Sequence, residues 1–239
     1  MAQIKIAHLP YVLPTTGDRF YFYENYWKRV ALRLLEKKAG DTRGWSFLDY
    51  GCGRGESMAY AKELGMRVKG LDVDPECVRL ASQYGEAEVL NLDQPDSQVP
   101  PQSFDVIACF HVLEHVENPK SILTLLSRGA RKYVLVAVPN LGRFPNLRRP
   151  WKKPAFVNRG HLQSWDHDHF KTLCEVHCGL RVVDWGFDAT IIPPFSEIAR
   201  RLGGERFAIF LETKIFRYLF PYAGISIIAL LAPDLDRAK

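Results

Sequence analysis

Residues 47–57, "FLDYGCGRGES", run an apolar strand directly into three glycines at alternate positions, Gly51, Gly53 and Gly55. Glycine costs backbone entropy and gives no side chain to a core. A cluster of them at a strand end therefore marks a place where something approaches the main chain closely. A helix that starts after such a turn presents unpaired N–H groups to whatever binds there. Strand, tight glycine turn and helix are thus fixed by these residues, with a ligand expected at the turn.

The rest of the chain repeats that alternation. Residues 19–40 read as an amphipathic helix closing on Lys37, Lys38 and Gly40. Helical stretches at 56–65, 75–85, 119–130 and 166–179 separate apolar runs at 45–51, 67–74, 87–93, 103–110, 132–140 and 180–187, and a seventh run follows at 224–232. The pattern predicts an α/β fold: a doubly wound, mostly parallel seven-stranded sheet with helices on both faces. No linker, repeat or low-complexity segment divides the chain. We expect an N-terminal helical extension over 1–44 and one ligand-binding domain over 45–239. The basic, aromatic segment 198–222 is expected to form helices that cover the sheet before the last strand.

Composition narrows the class. The longest apolar run near the end, "YAGISIIALLAP", is about half of what a bilayer-spanning helix needs, so no transmembrane segment is expected. Five cysteines at scattered spacings suit reduced thiols in a cytoplasmic protein. Between Asn118 and Trp165 stand ten Lys and Arg and no acid, whereas the other residues carry 22 cations and 27 acids. A locally basic stretch on an otherwise slightly acidic chain suits an anionic substrate or partner.

The glycine spacing departs from the dinucleotide fingerprint, whose third glycine would fall at Glu56. Other parts of a nucleoside site do fall at strand ends. Asp72 closes the second strand, where a carboxylate can accept hydrogen bonds from both ribose hydroxyls. Val73 follows, able to pack on an adenine face, and Asp93 closes the third strand, placed for the exocyclic amine. With Asp49 they put acids at the carboxyl ends of three successive strands, where open α/β sheets bind ligands.

These stretches together resemble the class I S-adenosylmethionine-dependent methyltransferases: "LDYGCGRG" the first motif, "GLDVDPE" the acidic loop after the second strand, "FDVIACFHVLEHV" the fourth-strand motif. The resemblance covers about residues 45–232. It implies S-adenosylmethionine as cofactor, with Asp49, Gly51, Cys52, Gly53 and Gly55 at its methionine end, Asp72 and Val73 at the nucleoside and Asp93 at the adenine. "VAVPNLGRF" and "HLQSWDHDHFKTLCE" further resemble MetW-type methyltransferase-like proteins, which are associated with homoserine acyltransferases. "HVLEHV" is closer to the ubiquinone-biosynthesis O-methyltransferases.

His111, Glu114 and His115 stand at i, i+3 and i+4 and can share one face of a helical turn. In the ubiquinone-type enzymes a Glu-x-x-Glu-His group at this place is thought to bind a metal. Here His111 replaces the first carboxylate, a poorer ligand for a hard ion. We therefore expect no metal, with Glu114 and His115 orienting the loop and capping the next helix. His111 is the candidate catalytic base, needed where the acceptor must lose a proton. His161, Asp166, His167, Asp168 and His169 form a second polar cluster. Neighbouring residues point to different helix faces, so we read Asp166 as an N-cap, and Cys174 and Cys178 as core.

After the fifth strand, "GRFPNLRRPWKKPAFVNRGH" interleaves cations with aromatics. Arg143, Arg148 and Trp151 are the candidate substrate contacts, within a lid over an acidic metabolite. The expected activity is methyl transfer to a small molecule, with an anionic one as the candidate acceptor. Two alternatives are an RNA methyltransferase, and a cofactor-binding regulator that assembles with a partner protein.

Overall fold

β1 (Ser46–Tyr50) lies inside a sheet with β2 (Arg67–Asp72) on one side and β4 (Phe104–Phe110) on the other. The computed structural model describes residues 19–143 and 160–234. The remaining strands are β3 (Glu86–Val89), β5 (Ala130–Pro139), β6 (Leu180–Gly186) and β7 (Ser226–Pro233), and the order across the sheet is β3-β2-β1-β4-β5-β7-β6. β1 to β5 pair in parallel, and β7 runs antiparallel to both β5 and β6. Seven strands and their mostly parallel sense agree with the sequence reading.

Helices cover both faces, because strands buried on both sides carry near-continuous apolar runs. On one face α1 (Arg19–Ala39) lays Trp27, Ala31, Leu32 and Leu35 over Phe47, Val106, Leu135 and Ile228, joined by Ala61 of α2 (Glu56–Glu63). On the other, Leu48, Tyr50, Ile107 and Val136 pack against α5 (Pro119–Gly129) and α6 (His167–Thr172), which continues as a π-helical turn to His177. Between them in sequence come α3 (Pro75–Ala81) and the single-turn α4 (Pro95–Gln98). The segment before β7 is helical as expected: α7 (Phe195–Phe210), a π-helical turn to Phe216 and α8 (Arg217–Leu219).

Two local expectations are corrected. The third strand stops at Val89 rather than at Asp93. Polar side chains take the backbone out of the ladder there: Asn91 N–H donates to Gln98 Oε1 at 2.7 Å, and Asp93 N–H to Asn91 Oδ1 at 3.0 Å. The cap of α5 is Asn118, whose side chain accepts from Ser121 N–H, and not Glu114 or His115.

The basic stretch is also not one patch. Arg131 donates to Asp105 at 3.2 Å and to Ser46 Oγ at 2.7 Å, tying together the amino-terminal ends of β1, β4 and β5. Lys132 reaches Asp105 at 3.6 Å while its ammonium lies 3.6 Å from the Trp45 ring centre. These cations serve the sheet edge opposite the glycine loop. Arg148, Arg149, Lys152, Lys153 and Arg159 lie outside the described residues.

Candidate functional site

The strand order reverses between β1 and β4, so a crevice opens where their carboxyl ends diverge. The glycine loop leaves β1 there. Gly51 and Cys52 donate their backbone N–H groups to Leu71 O at 2.7 and 2.9 Å, which hooks the loop to β2. Gly51 has φ 83°, and a Cβ on it would collide with the Val112 side chain in the loop after β4. Gly53 has φ 53°, and the space where its Cβ would stand is open. The glycines thus divide their work: Gly51 lets two loops touch, and Gly53 leaves room above the turn. Gly55 packs against Ala81 and Tyr84, and the Cys52 side chain is buried with Met58 and Ala81. The Cys52 Sγ also faces Gly53 O of the loop at 3.7 Å.

Two carboxylates stand on β1 and β2 next to the loop in the chain and across from it. Asp49 is fully buried, with Ser57 Oγ donating to Oδ2 and no hydrogen-bond partner for Oδ1 among the described residues. Burial pushes its pKa up to about 7, against the pull of Ser57 and of the Lys28 ammonium and with a further push from Asp72 and Glu56. Lys28 reaches over from α1 and pairs with Glu56 at 3.1 Å. Asp72 accepts Gly53 N–H on one oxygen at 2.8 Å and Asp74 N–H on the other at 3.0 Å. Burial raises its pKa, and those backbone donors oppose the rise. A buried carboxylate with an open oxygen suits a cationic group, and a half-exposed one with spare lone pairs suits hydroxyl donors. Val73 is half-buried against the core, and Asp93 is exposed on the turn after β3.

The loop after β4 forms the facing wall. His111 holds φ 53°, a left-handed conformation that is uncommon outside glycine and is found where surroundings impose it. Its backbone N–H donates to Ala137 O at 2.8 Å. Its ring is held at both nitrogens, Nδ1 3.0 Å from Glu114 Oε1 and Nε2 3.3 Å from Ser226 Oγ, with the Trp27 ring centre 4.6 Å away. Ser226 N–H donates to Asp188 Oδ2 at 3.0 Å. Asp188 is buried, and burial raises its pKa to about 7 despite Ser226 and Arg143 nearby. Glu114 is fully buried too. Burial alone would raise its pKa, but the charge and hydrogen bond of His111 win and hold it below the ordinary carboxylate value.

The chain returns to this loop after residues 144–159. Leu162 and Gln163 donate their N–H groups to Glu114 O at 2.7 and 3.2 Å, and His115 Nδ1 lies 3.0 Å from Gly160 O. This sets His161 beside His115, ring centres 4.9 Å apart. One ligating atom each of Glu114, His115 and His161 lie within 4.8 Å of one another. His161 thus leaves the polar cluster to which its sequence position assigned it.

The other members of that cluster do not converge. Asp166 caps α6 by accepting His169 N–H at 2.9 Å, as expected. His167 turns toward Trp185 and Tyr222, with ring centres 5.0 Å from each. Cys174 and Cys178 are buried, and all five cysteines are free thiols. Arg143 turns inward, its Nε donating to Ile225 O at 3.0 Å, while Arg148 and Trp151 lie outside the described residues. Trp27, Lys28, Asp188 and Ser226 join the site with no local sequence signal; tertiary packing alone brings them, whereas Ser57 follows the glycine loop directly.

A family model described as a methyltransferase domain matches residues 18–184. A probable S-adenosylmethionine-dependent methyltransferase of Mycolicibacterium smegmatis is 30% identical over 138 residues, 55% of this chain and 54% of that protein. The ubiquinone biosynthesis O-methyltransferase of Vibrio atlanticus is 36% identical over 153 residues, 58% of this chain and 60% of that protein. The chain therefore spans between half and two thirds of the length of these relatives. Among solved structures, a SAM-dependent methyltransferase from Archaeoglobus fulgidus matches with a TM-score of 0.57 at 22% identity, covering 90% of this chain and 99% of that one. At that identity the likeness is one of fold.

Proposed function

The chain belongs to the methyltransferase-domain family, the class I S-adenosylmethionine-dependent methyltransferases, and from that premise we propose that it methylates a small molecule in the crevice between the loops after β1 and β4. S-adenosylmethionine supplies a methyl group activated by its sulfonium charge. The observation that carries the reading is the buried, unpartnered oxygen of Asp49 in β1, two residues before a glycine loop with room above Gly53. A buried polar atom without a partner costs about 1–3 kcal/mol, and an ammonium group such as that of the methionine tail would satisfy it.

Asp72, already shaped by Gly53 and Asp74, is our residue for the ribose hydroxyls, with Val73 beside the base. Asp93, exposed on its turn, is the candidate for the adenine edge. The acceptor enters from the side of His111. A displacement mainly needs its nucleophile aligned, and the Trp27 ring and the His111 ring form a rigid wall for that purpose. Where the acceptor carries a proton, His111 takes it at Nε2, the acceptor replacing the 3.3 Å contact with Ser226 Oγ, while Nδ1 keeps its bond to the Glu114 carboxylate. The basic stretch between Asn118 and Trp165 in the sequence favours an anionic acceptor, and the free thiols favour the cytoplasm. No helix among the described residues is long and apolar enough to cross a membrane.

The test is transfer of radiolabel from S-adenosylmethionine into a cell extract fractionated into small molecules, RNA and protein, with Asp72→Ala as control. Label in the small-molecule fraction that vanishes with the variant supports the reading. Label confined to RNA or protein rejects the acceptor class, and no label despite measurable cofactor binding rejects turnover.

A further inference from the structure

The helical segment between β6 and β7 wears large apolar side chains on its outside. The side chains that α7 buries fully are small, Ser196, Ala199 and Ala208, and the π-helical turn after it buries Glu212 and Thr213. Leu202, Phe207 and Phe210 of α7 face solvent instead, as do Tyr218, Leu219 and Tyr222 before β7. Leu202 is 81% exposed, Tyr218 71% and Leu219 64%. A helix on a globular core normally turns its apolar stripe inward, and exposed apolar patches mark interaction surfaces. Polar contacts tie the segment down from beneath. Arg200 donates to Glu205 at 2.8 Å, to Glu197 at 3.0 Å and to Glu212 at 3.3 Å. Arg217 donates to Tyr26 Oη of α1 at 2.6 Å, and Thr190 N–H to Glu212 O at 3.1 Å.

We propose that this face docks on the surface of an anionic phospholipid bilayer, lying on it rather than crossing it. Charge selects that occupant. The acids of residues 195–222 are Glu197, Glu205 and Glu212, and Arg200 pairs with all three while Arg201 shares Glu197. Arg206 and Lys214 are exposed and have no ion-pair partner among the described residues. Arg206 stands one turn before Phe210 and Lys214 one turn after it, so apolar and cationic groups alternate along one surface. An isologous contact with a second copy would set these cations against themselves. A bilayer surface takes both kinds of group at once: apolar side chains enter the acyl boundary, tyrosines sit at headgroup level, and Lys and Arg meet the anionic headgroups. Being fluid, it accepts protruding side chains such as Leu202 and Leu219 without matching pockets. No helix among the described residues is long and apolar enough to span a membrane. Tyr222 O accepts from Asn140 Nδ2 at 2.9 Å, just past the end of β5, which brings the docking face to the crevice's end of the sheet. The proposal does not rest on methyl transfer, since the face is there whether or not the chain turns over.

The experiment mixes the full chain with sucrose-loaded vesicles of phosphatidylcholine, with and without phosphatidylglycerol, and measures the pelleted fraction against lipid concentration. Anionic vesicles should bind at least about 10-fold more tightly than neutral ones, and added salt should erode the difference. Arg206→Gln with Lys214→Gln should lower binding to anionic vesicles by about 10-fold. Leu202→Ser with Leu219→Ser should lower it by roughly 100-fold. Val176→Ser, at an exposed apolar residue on the turn after α6, should change nothing. All five side chains are exposed, so thermal melting should show every variant folded as the parent is. Binding to neither kind of vesicle, equal binding to both, or parent-like binding by either double variant overturns the proposal. So does a dimer in analytical ultracentrifugation that the leucine variant breaks while vesicles stay unbound, which would assign the face to a second copy.

Discussion

Gly53 donates its backbone N–H to the Asp72 carboxylate over 2.8 Å, so the acid at the end of β2 shapes the glycine loop that follows β1. Asp74 N–H occupies the second oxygen at 3.0 Å. Asp72 therefore has two functions that substitutions separate. Alanine removes the charged acceptor for a ribose and the anchor of Gly53 together. Asparagine keeps a neutral acceptor for Gly53 and loses the charge. Hydrogen bonds to charged groups are worth about 1.5–3 kcal/mol each. Asp72→Ala should weaken S-adenosylmethionine binding by roughly 100-fold or more, and Asp72→Asn by roughly 10-fold. Calorimetric titration checks both. Equal losses in the two variants would deny the anchoring function, and an unchanged alanine variant would remove Asp72 from the cofactor site.

Gly51 and Gly53 should respond differently to the same added methyl group. Both hold positive φ, 83° and 53°, which costs an L-residue about 1–2 kcal/mol. At Gly53 nothing stands in the way of the methyl, whereas at Gly51 it meets Val112. Overpacking adds about 1–3 kcal/mol there. Gly51→Ala should thus lower thermal stability clearly more than Gly53→Ala. For ligand affinity the order reverses in significance: Gly53→Ala stays folded, yet its methyl points into the space assigned to the cofactor. A folded Gly53→Ala that binds S-adenosylmethionine as the parent does would place the ligand elsewhere.

The legible parts of the molecule are those whose signals are local. The glycines after β1, Asp72 at the end of β2 and the Asp166 cap all follow from neighbours within a turn or a strand. The sequence extends β3 to Asp93 because Leu90 and Leu92 continue an apolar pattern, while Asn91 and Gln98 divert the backbone after Val89 by side-chain hydrogen bonds that periodicity does not register. His161 sits in sequence beside Asp166 to His169, although it lies with Glu114 and His115, more than 40 positions earlier in the chain. Asp188, Ser226, Trp27 and Lys28 surround the loops after β1 and β4 only because β7 and α1 pack where they do. Long-range pairing of this kind leaves no mark on composition or spacing.

Asp49 should make both stability and cofactor affinity depend on pH. Its ordinary pKa of 3.8 is pushed up to about 7 in the fold, chiefly by burial. Between those values the folded state keeps a proton that the unfolded chain has released. The contribution to stability is therefore full below about pH 4 and is lost as pH rises through about 7; a shift of this size is worth on the order of 4 kcal/mol. Asp188, also raised to about 7 by burial, acts in the same direction. The groups facing Asp49 are Lys28 from α1, Glu56 and Ser57 from α2, Asp72 from β2, and the buried thiols of Cys52 and Cys109. A cationic ammonium placed at Oδ1 favours the charged carboxylate, so S-adenosylmethionine binding below about pH 7 should expel a proton. Affinity should rise between pH 6 and about 7.5, and the binding enthalpy should change with the ionisation enthalpy of the buffer. Asp49→Asn should bind more weakly and abolish the buffer dependence. A parent protein that binds with no proton release, at an affinity flat across this range, would show that the cationic end of the cofactor does not lie at Asp49.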